Sequence, residues 1–231
     1  MATYNGEKYL SEQLETILVN LKDEDEIIIS DDGSQDGTLA VIAEFQKRFP
    51  HITVLQGPKK GVHQNFANAI AHASGDVIFL SDQDDLWMAN KAETVLEVMK
   101  QPEVWTVVHD ANVVDETGTN VIFESFYELR HSKPGLFANL LRNSYLGCCV
   151  AFKRELKEYI LPIPQNIEMH DTWIGLISEW KHCGRFIDDK LISYRRHGGN
   201  VTSMHHYPLL KMITNRIHFT EELLLRIART H

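Results

Sequence analysis

The chain has 231 residues, of which 43% are hydrophobic and 24% are charged, proportions typical of one globular domain. Its formal net charge of −9 argues against a surface for nucleic acid, which would need clustered basic residues. Three cysteines, two of them adjacent, make no disulfide framework, and neither a signal peptide nor an apolar run of about 18 residues is found. We therefore expect a cytoplasmic α/β protein.

The first half of the chain alternates short apolar runs with helical periodicity, the pattern of strand–helix–strand units on a parallel sheet. The first helix is predicted over 8–21, because Leu10, Leu14 and Ile17 recur at helical spacing. Three more helices are predicted, and short apolar or β-branched runs predict strands at 26–30, 52–55, 76–80 and 104–109. The predicted fold class is α/β, with a mostly parallel central sheet flanked by helices.

The first residues, Thr3-Tyr4-Asn5-Gly6, resemble the turn that follows a strand. A parallel sheet normally begins with an apolar strand before such a turn. We therefore predict that the first strand is missing and that Thr3 and Tyr4 lack their usual anchor.

The second half is less regular, with strands predicted at 121–123, 147–152 and 191–194 and a helix at 171–182. We predict one domain over 1–205, with its two halves meeting at about residue 110. A helical segment follows at 206–231. Its apolar residues either complete the core or a partner interface or, together with its basic residues, rest on the inner surface of the plasma membrane.

Three carboxylates follow the predicted strand at 76–80 directly, at Asp82, Asp84 and Asp85. Ligands of parallel sheets bind beyond the carboxyl ends of the strands. Adjacent carboxylates repel one another, and a divalent cation such as Mg²⁺ or Mn²⁺, which prefers oxygen ligands, would relieve that repulsion. The alternative is a solvated acidic turn, but the position after a buried strand favours a metal site.

A second polar turn, Asp31-Asp32-Gly33, follows the strand at 26–30. Its carboxylates could accept hydrogen bonds from a base or a ribose, and Gly33 would let a ligand approach the backbone. An ordinary turn before a helix explains the same residues equally well.

Two further groups lie in the second half. Asp171 at the start of a predicted helix is a candidate general base, although the same residue could cap that helix. His197 could ligate a metal, whereas Arg195 and Arg196 could contact phosphate or an acidic acceptor.

Taken in order, these motifs resemble the family 2 inverting glycosyltransferases, which have the nucleotide-diphospho-sugar transferase (GT-A) fold. Residues 3–6 and 30–38 are similar to the two nucleotide loops of that family, and 75–85 to its metal-binding D-x-D strand. The resemblance extends over nearly the whole chain. Features similar to the rhamnosyltransferase-like branch, which imply dTDP-rhamnose as a candidate donor, are Gln64-Asn65-Phe66, residues 81–87, Lys91, Gly147-Cys148, His170-Asp171 and residues 196–201.

The resemblance also implies that 1–205 is a catalytic domain, with a nucleotide-binding half at about 1–110 and an acceptor half at about 111–205. It further implies a role for each matching residue. Asp84 would be the principal metal ligand, supported by Asp85, and His197 would add a metal or phosphate contact. Asp171 matches the base that activates the acceptor. The residues that would contact the nucleotide are Thr3, Tyr4, Asn5, Asp31, Asp32 and Asp82.

The predicted function is the metal-dependent, inverting transfer of a sugar, with rhamnose as a candidate, from a nucleoside-diphosphate donor to an acceptor hydroxyl. The cofactor would be Mn²⁺ or Mg²⁺, and the donor dTDP-rhamnose or a UDP-sugar. The acceptor would be a saccharide or lipid-linked saccharide in cell-surface polysaccharide synthesis. One alternative is a catalytically impaired module that only binds nucleotide sugar. A sugar nucleotidyltransferase is less favoured, because residues 1–8 lack the Gly-rich loop with Arg and Lys that would grip a triphosphate.

Overall fold

A computed structural model describes residues 1–198, 200 and 209–230 as two β-sheets and their surrounding helices. The helices are α1 (Glu7–Leu18), α2 (Thr38–Arg48), α3 (Val62–His72), α4 (Lys91–Met99), α5 (Phe126–Arg130), α6 (Leu136–Leu141), α7 (Lys157–Ile160), α8 (His170–Trp180) and α9 (Leu209–Arg229). The strands are β1 (Ala2–Thr3), β2 (Ile27–Asp31), β3 (Ile52–Gln56), β4 (Val77–Phe79), β5 (Leu86–Trp87), β6 (Thr106–Val114), β7 (Val121–Phe123), β8 (Val150–Lys153) and β9 (Gly184–Arg195).

The first sheet has the order β1-β2-β3, and all of its strands are parallel. β1 lies beside the end of β2, with Ala2 opposite Ser30 and Thr3 opposite Asp31. The prediction of a missing first strand is therefore wrong. The strand is present, but its two residues are too few to produce a period-two pattern in the sequence.

The second sheet has the order β4-β8-β6-β9-β5, with β7 paired to β6. β6 and β9 are parallel, whereas the other pairs are antiparallel. Parallel pairing is thus confirmed in the first sheet and between β6 and β9. Each antiparallel pair includes a strand from the second half of the chain, where the regular alternation of strands and helices ends.

Apolar faces of the helices pack against these sheets in two main clusters. One cluster joins Leu10 and Leu14 of α1 to Ile29 of β2 and Ile42 of α2. The other joins α3 to α8, which is buried along nearly its whole length. Because α8 lies inside the molecule, its first residues are held beside the ends of the strands.

Helix α9 combines a buried face with an exposed apolar face. Phe219 and Leu223 are buried in the cluster of α3 and α8, whereas Leu210 and Leu224 are 80% and 60% exposed. Within the described ranges, no helix is both long and apolar enough to cross a membrane. The proposed boundary at 205/206 lies outside the described residues.

Candidate active site

The loops that follow β1 and β2 are tied together at the carboxyl end of the first sheet. Thr3 Oγ1 donates to Asp31 Oδ2 at 2.8 Å, and Ser34 Oγ donates to the same oxygen at 2.6 Å. The backbone N–H groups of Gly33 and Ser34 donate to Asp31 Oδ1 at 3.1 and 2.9 Å. Asp31 is buried and already accepts four hydrogen bonds, so its carboxylate shapes the loop. Nucleotide contact by Thr3 or Asp31 stays a prediction.

Other predicted nucleotide contacts are more accessible. The Tyr4 side chain is 55% exposed. Asp32 is half-buried, and its Oδ1 accepts from the backbone N–H of Lys59 at 2.6 Å. Asn5 has a φ of 48° and accepts from the backbone N–H of Gln35 at 2.8 Å. Tyr4 and Asp32 therefore offer an aromatic face and a carboxylate beside the closed Asp31 network.

The acidic loop, residues 81–85, is fastened to the loop after β1 by the side chain of Gln83. Gln83 accepts from the backbone N–H of Tyr4 at 2.9 Å and donates to the Tyr4 carbonyl at 3.1 Å. From α1, the buried Gln13 donates to Ser81 Oγ at 2.7 Å. The sequence assigned no role to Gln83, because its two partners lie on a loop that is distant along the chain.

Burial and mutual repulsion disfavour negative charge on the acidic loop. Burial raises the pKa of Asp85 to about 7, with the charge of Asp84 as a further cause. The pKa of Asp82 is also raised, first by burial and then by the charges of Asp85, Asp84 and Asp171. Asp85 Oδ1 accepts from the backbone N–H of Arg195 at 2.9 Å, whereas Oδ2 is buried with no hydrogen-bond partner in the described ranges.

The residues predicted to bind metal fall into two neighbouring sets. Asp84 Oδ2 lies 2.7 Å from His197 Nε2, so these two candidate ligands meet. Asp85 instead groups with Asp82 and Cys148, whose ligand atoms lie within 4.8 Å of one another. Metal binding by Asp84, Asp85 and His197 remains a prediction.

The acidic loop fits a hard divalent cation. A bound cation would give the unpaired carboxylate oxygen of Asp85 a partner. Its positive charge would also offset the effects of burial and repulsion, which raise the pKa of Asp82. Burial raises the pKa of the Cys148 thiol well above its usual range, which disfavours the thiolate that soft metals require. The carboxylates and His197 would therefore hold such a cation.

The two candidate arginines have different surroundings. Arg195 is buried, and its guanidinium donates to the Asp84 carbonyl at 2.8 Å, the Glu116 carbonyl at 2.9 Å and Glu12 Oε2 at 2.5 Å. Arg196 is half-buried and donates to the Tyr194 hydroxyl at 2.9 Å. Arg195 thus supports the acidic loop, and Arg196 lines an adjacent cavity. Val201, from the predicted 196–201 motif, lies outside the described residues, as does Gly199.

Asp171 lies in the first turn of α8, which begins one residue earlier than predicted, and it lines the same cavity of about 480 Å³. The backbone N–H of Thr172 donates to Asp171 Oδ1, and the Thr172 hydroxyl donates to it at 3.2 Å. Burial nevertheless raises the pKa of Asp171 to about 6, because these hydrogen bonds only partly offset the loss of water. Such a carboxylate can accept a proton near neutral pH.

No site role was predicted for Lys91, whose positive charge acts on Asp85 of the acidic loop. Its side chain is buried, Nζ donates to the Cys148 carbonyl at 2.7 Å, and Nζ lies 4.2 Å from the centre of the Trp87 ring. A signal was present in the sequence, since Lys91 shares the helical spacing of the buried residues Val95 and Met99. A lysine on the buried face of a helix indicates a buried partner.

The fold and the polar loops at its strand ends define a glycosyltransferase with the GT-A fold. Residues 1–160 match the sequence model of the family described as "Glycosyl transferase family 2". The chain belongs to this family. The prediction made from the motifs is thereby confirmed at the level of family and fold.

Two relatives indicate which transferases the chain resembles. It is 29% identical to the dTDP-rhamnosyl transferase RfbG of Shigella flexneri, over 94% of this chain and 80% of the relative. It is 25% identical to the UDP-Glc:alpha-D-GlcNAc-diphosphoundecaprenol beta-1,3-glucosyltransferase WfgD of Escherichia coli, over 78% of this chain and 68% of the relative. The chain spans 64% and 58% of the length of uncharacterised relatives from Nostoc and Mycobacterium tuberculosis.

Solved structures share the fold at lower identity. TarS 1-349 of S. aureus in complex with UDP-GlcNAc has a TM-score of 0.74 at 16% identity, covering 98% of this chain and 64% of that one. The mannosyltransferase PcManGT of Pyrobaculum calidifontis, in complex with GDP-Man and Mn²⁺, has a TM-score of 0.62 at 20% identity, covering 83% and 54%. At these identities the likeness establishes the fold alone.

Proposed function

We propose that this chain transfers a sugar from a nucleoside-diphosphate donor to an acceptor hydroxyl, with inversion at the anomeric carbon and with help from a divalent cation. The observation that carries this proposal is the closeness of Asp171 to the acidic loop. Although the two are far apart in sequence, Asp171 lies against Gly147, and the next residue, Cys148, groups with Asp82 and Asp85 of that loop. The charge of Asp171 is also one cause of the raised pKa of Asp82. In this proposal, the residues that would hold the metal and the residue that would act as the base are therefore neighbours.

The donor would lie across the carboxyl ends of the first sheet. Tyr4 and Asp32 would contact the nucleoside, and Asp82 would face its ribose or the metal. The printed names of RfbG and WfgD support a nucleoside-diphosphate sugar as the donor class, with dTDP-rhamnose and UDP-glucose as the first candidates.

Asp84, Asp85 and His197 would hold Mn²⁺ or Mg²⁺ in this proposal. When bound there, the cation offsets negative charge on the departing diphosphate. The Mn²⁺ in the PcManGT complex supports a metal in this fold. The buried, unpaired oxygen of Asp85 supports a metal site at the acidic loop.

Asp171 would act on the acceptor. Its carboxylate takes the proton from the acceptor hydroxyl while the hydroxyl oxygen attacks the anomeric carbon and the bond to the diphosphate oxygen breaks. The Thr172 hydrogen bonds fix the orientation of Asp171. Holding both substrates in this geometry supplies the remaining rate advantage.

The acceptor would be a saccharide or lipid-linked saccharide of a cell-surface polysaccharide. The diphosphoundecaprenol in the printed name of WfgD supports a lipid-linked acceptor. An acceptor of that kind would place the protein at the inner face of the plasma membrane. The exposed leucines of α9, Leu210 and Leu224, offer an apolar surface for that contact.

Calorimetric titration of dTDP, UDP and GDP, with Mn²⁺ and with EDTA, tests the donor site. We expect one nucleotide to bind with Mn²⁺ and to lose about tenfold or more in affinity in Asp84→Asn, because a charged metal ligand is removed. Asp76→Asn, at the exposed opposite end of β4, is the matched control and should bind normally. Equal, metal-independent binding by both variants would contradict the proposal.

Multiple turnover distinguishes a transferase from a module that only binds the nucleotide sugar. Purified protein that binds the nucleotide should release more than one nucleoside diphosphate per chain when donor and acceptor are both present. Binding without any transfer to a set of lipid-linked and soluble saccharides would favour the binding module.

A further inference from the structure

The cavity that contains Asp171 has apolar walls and a positively charged side. Its apolar lining comes mainly from α5, α6, α9, α8 and the residue before α8, and includes Leu129, Leu140, Met169, Leu176, Met212 and Phe219. Four arginines also line it: Arg130, Arg142, Arg196 and Arg216. The cavity is therefore suited to a ligand that is partly apolar and partly anionic.

Two of these arginines are held by the protein itself. Arg216 donates to the carbonyls of Leu141 and Met212, and Arg196 donates to the Tyr194 hydroxyl. The carbonyl oxygens that Arg216 contacts satisfy its hydrogen bonds but do not neutralise its positive charge. This side of the cavity therefore carries positive charge at Arg130, Arg142 and Arg216, although the chain as a whole is negative.

Arg130 and Arg142 differ from that pair. Among the described residues, neither guanidinium donates a hydrogen bond or forms an ion pair with a carboxylate. The nearby Glu168, which also lines the cavity, is occupied by Lys211 at 2.7 Å. Burial lowers the pKa of Arg130, and the positive charge of Arg142 lowers it further, so the two guanidinium groups are close enough to repel each other.

We propose that Arg130 and Arg142 bind a phosphate or diphosphate group of the acceptor, in the cavity that also contains Asp171. This inference rests on the proposed transferase function and identifies the class of its acceptor. Two adjacent guanidinium groups match a doubly charged phosphate, because each can donate a pair of N–H groups to phosphate oxygens. Binding such a group would also remove the repulsion between the two arginines.

Two sources of that phosphate are consistent with the cavity. A lipid carrier would place its chain along the apolar walls, beyond which α6 presents Phe137 and Leu141, which are 80% and 68% exposed. A phosphate on a soluble saccharide would use the arginines alone. Both sources supply the same anionic group, but only a lipid carrier adds the binding free energy of a buried apolar chain.

Three probes separate these contributions in calorimetric titrations with EDTA, which prevents diphosphate from binding through a cation at the donor site. The probes are decyl diphosphate, inorganic diphosphate and the uncharged decyl glucoside. We expect decyl diphosphate to bind about tenfold or more weakly to Arg130→Gln/Arg142→Gln, because two charge-assisted contacts are lost. Arg142 is exposed, so Arg142→Gln alone should leave the protein normally folded. We expect this single variant to lose less affinity for decyl diphosphate than the double variant, but still a measurable amount.

Arg185→Gln is the matched control, because Arg185 is exposed at the start of β9, and it should bind decyl diphosphate normally. Manganese-dependent nucleotide binding, measured on the same proteins, should be equal in all of them. Its absence from the wild type would reject the donor site while leaving this subsite testable with the three probes.

The affinities for the three probes distinguish the two sources of the phosphate. Tighter binding of decyl diphosphate than of inorganic diphosphate, both lost in the double variant, supports a lipid-diphosphate acceptor. Equal binding of the two anions, again lost in the double variant, supports a soluble phosphorylated acceptor. The proposal is overturned if neither anion binds the wild type, if the double variant binds them normally, or if decyl glucoside binds as tightly as decyl diphosphate.

Discussion

At the scale of single residues, burial determines which carboxylates can exchange protons near neutral pH. Asp171 and Asp85 have pKa values raised to about 6 and about 7, and burial is the largest cause for both. Asp31, although buried as well, accepts four hydrogen bonds from its own loop. Asp31 therefore shapes its own loop, whereas burial leaves Asp171 and Asp85 with pKa values near neutral pH.

The raised pKa of Asp171 predicts a pH dependence of transfer. A base must be ionised to accept a proton, so activity should be full above the pKa and fall as the pH drops through about 6. The measurement is the maximal transfer rate from pH 5 to pH 8, with donor and Mn²⁺ saturating. Asp171→Asn should retain nucleotide binding and lose transfer by a factor of about 100 or more. An undiminished rate in that variant would exclude Asp171 as the base.

At the scale of elements, the sequence predicts β2, β3, β4 and β7 well, but it misses β1 and predicts only part of β9. β2 and β3 are short buried runs with no competing pattern, whereas β1 is too short to be recognised. β9 covers twelve residues, although only 191–194 was predicted, because exposed Asp188, Asp189 and Lys190 interrupt its apolar pattern. Pairing with β6 keeps that segment extended, and this tertiary contact is invisible in the local sequence.

Gln83 joins two of these elements and should control the affinity for the nucleotide. Gln83→Ala removes both hydrogen bonds to the Tyr4 backbone, so the loop after β1 loses its attachment to the acidic loop. We expect about tenfold weaker nucleotide binding by calorimetry, equal to about 1.4 kcal/mol. Gln35→Ala is the control, because only the backbone of Gln35 bonds to Asn5. Similar nucleotide affinities in the two variants would show that the Gln83 hydrogen bonds do not control nucleotide binding.

Lys91 links α4 to the turn before β8 and should contribute to stability. Lys91→Met leaves the Cys148 carbonyl without its donor and removes the cation from the Trp87 ring, at a cost of about 1–3 kcal/mol. Thermal unfolding should show a fall in Tm of about 2–4 °C per kcal/mol. Lys100→Met, at the exposed end of the same helix, should change Tm little. A Lys91 variant as stable as the wild type would show that the buried cation contributes nothing.

At the scale of the whole molecule, the site lies where two sheets and α8 come together. The order of the motifs predicted the fold, and the position of each polar loop directly after a short apolar strand predicted a site there. The parallel-strand rule holds for the loop after β2, whereas β4, before the acidic loop, pairs antiparallel with β8. The contacts between those loops could not be predicted, because they join positions that are distant in sequence. Gln83 with Tyr4, and Lys91 with Cys148, are examples.

Helix α9 belongs to this assembly through Arg226, whose guanidinium donates to the carbonyls of Tyr159, Leu161 and Pro162. Arg226→Ala would remove the donor of these three carbonyls, and we expect a loss of about 1–3 kcal/mol in the free energy of unfolding in urea. The exposed Arg229, one turn later, supplies the control Arg229→Ala, with a change within about 0.5 kcal/mol. Equal losses in the two variants would mean that α9 is not anchored here.

The contacts of Arg195 make distant parts of the chain depend on one another. Its guanidinium reaches Glu12 on α1, the Glu116 carbonyl in the turn after β6 and the Asp84 carbonyl in the acidic loop. Lysine, with a single ammonium group, cannot span these three directions. Losses of stability from substitutions at Glu12 and Arg195 should therefore not add, with a coupling energy of about 0.5–3 kcal/mol in a double-mutant cycle. Among relatives, we expect these positions to vary as a set.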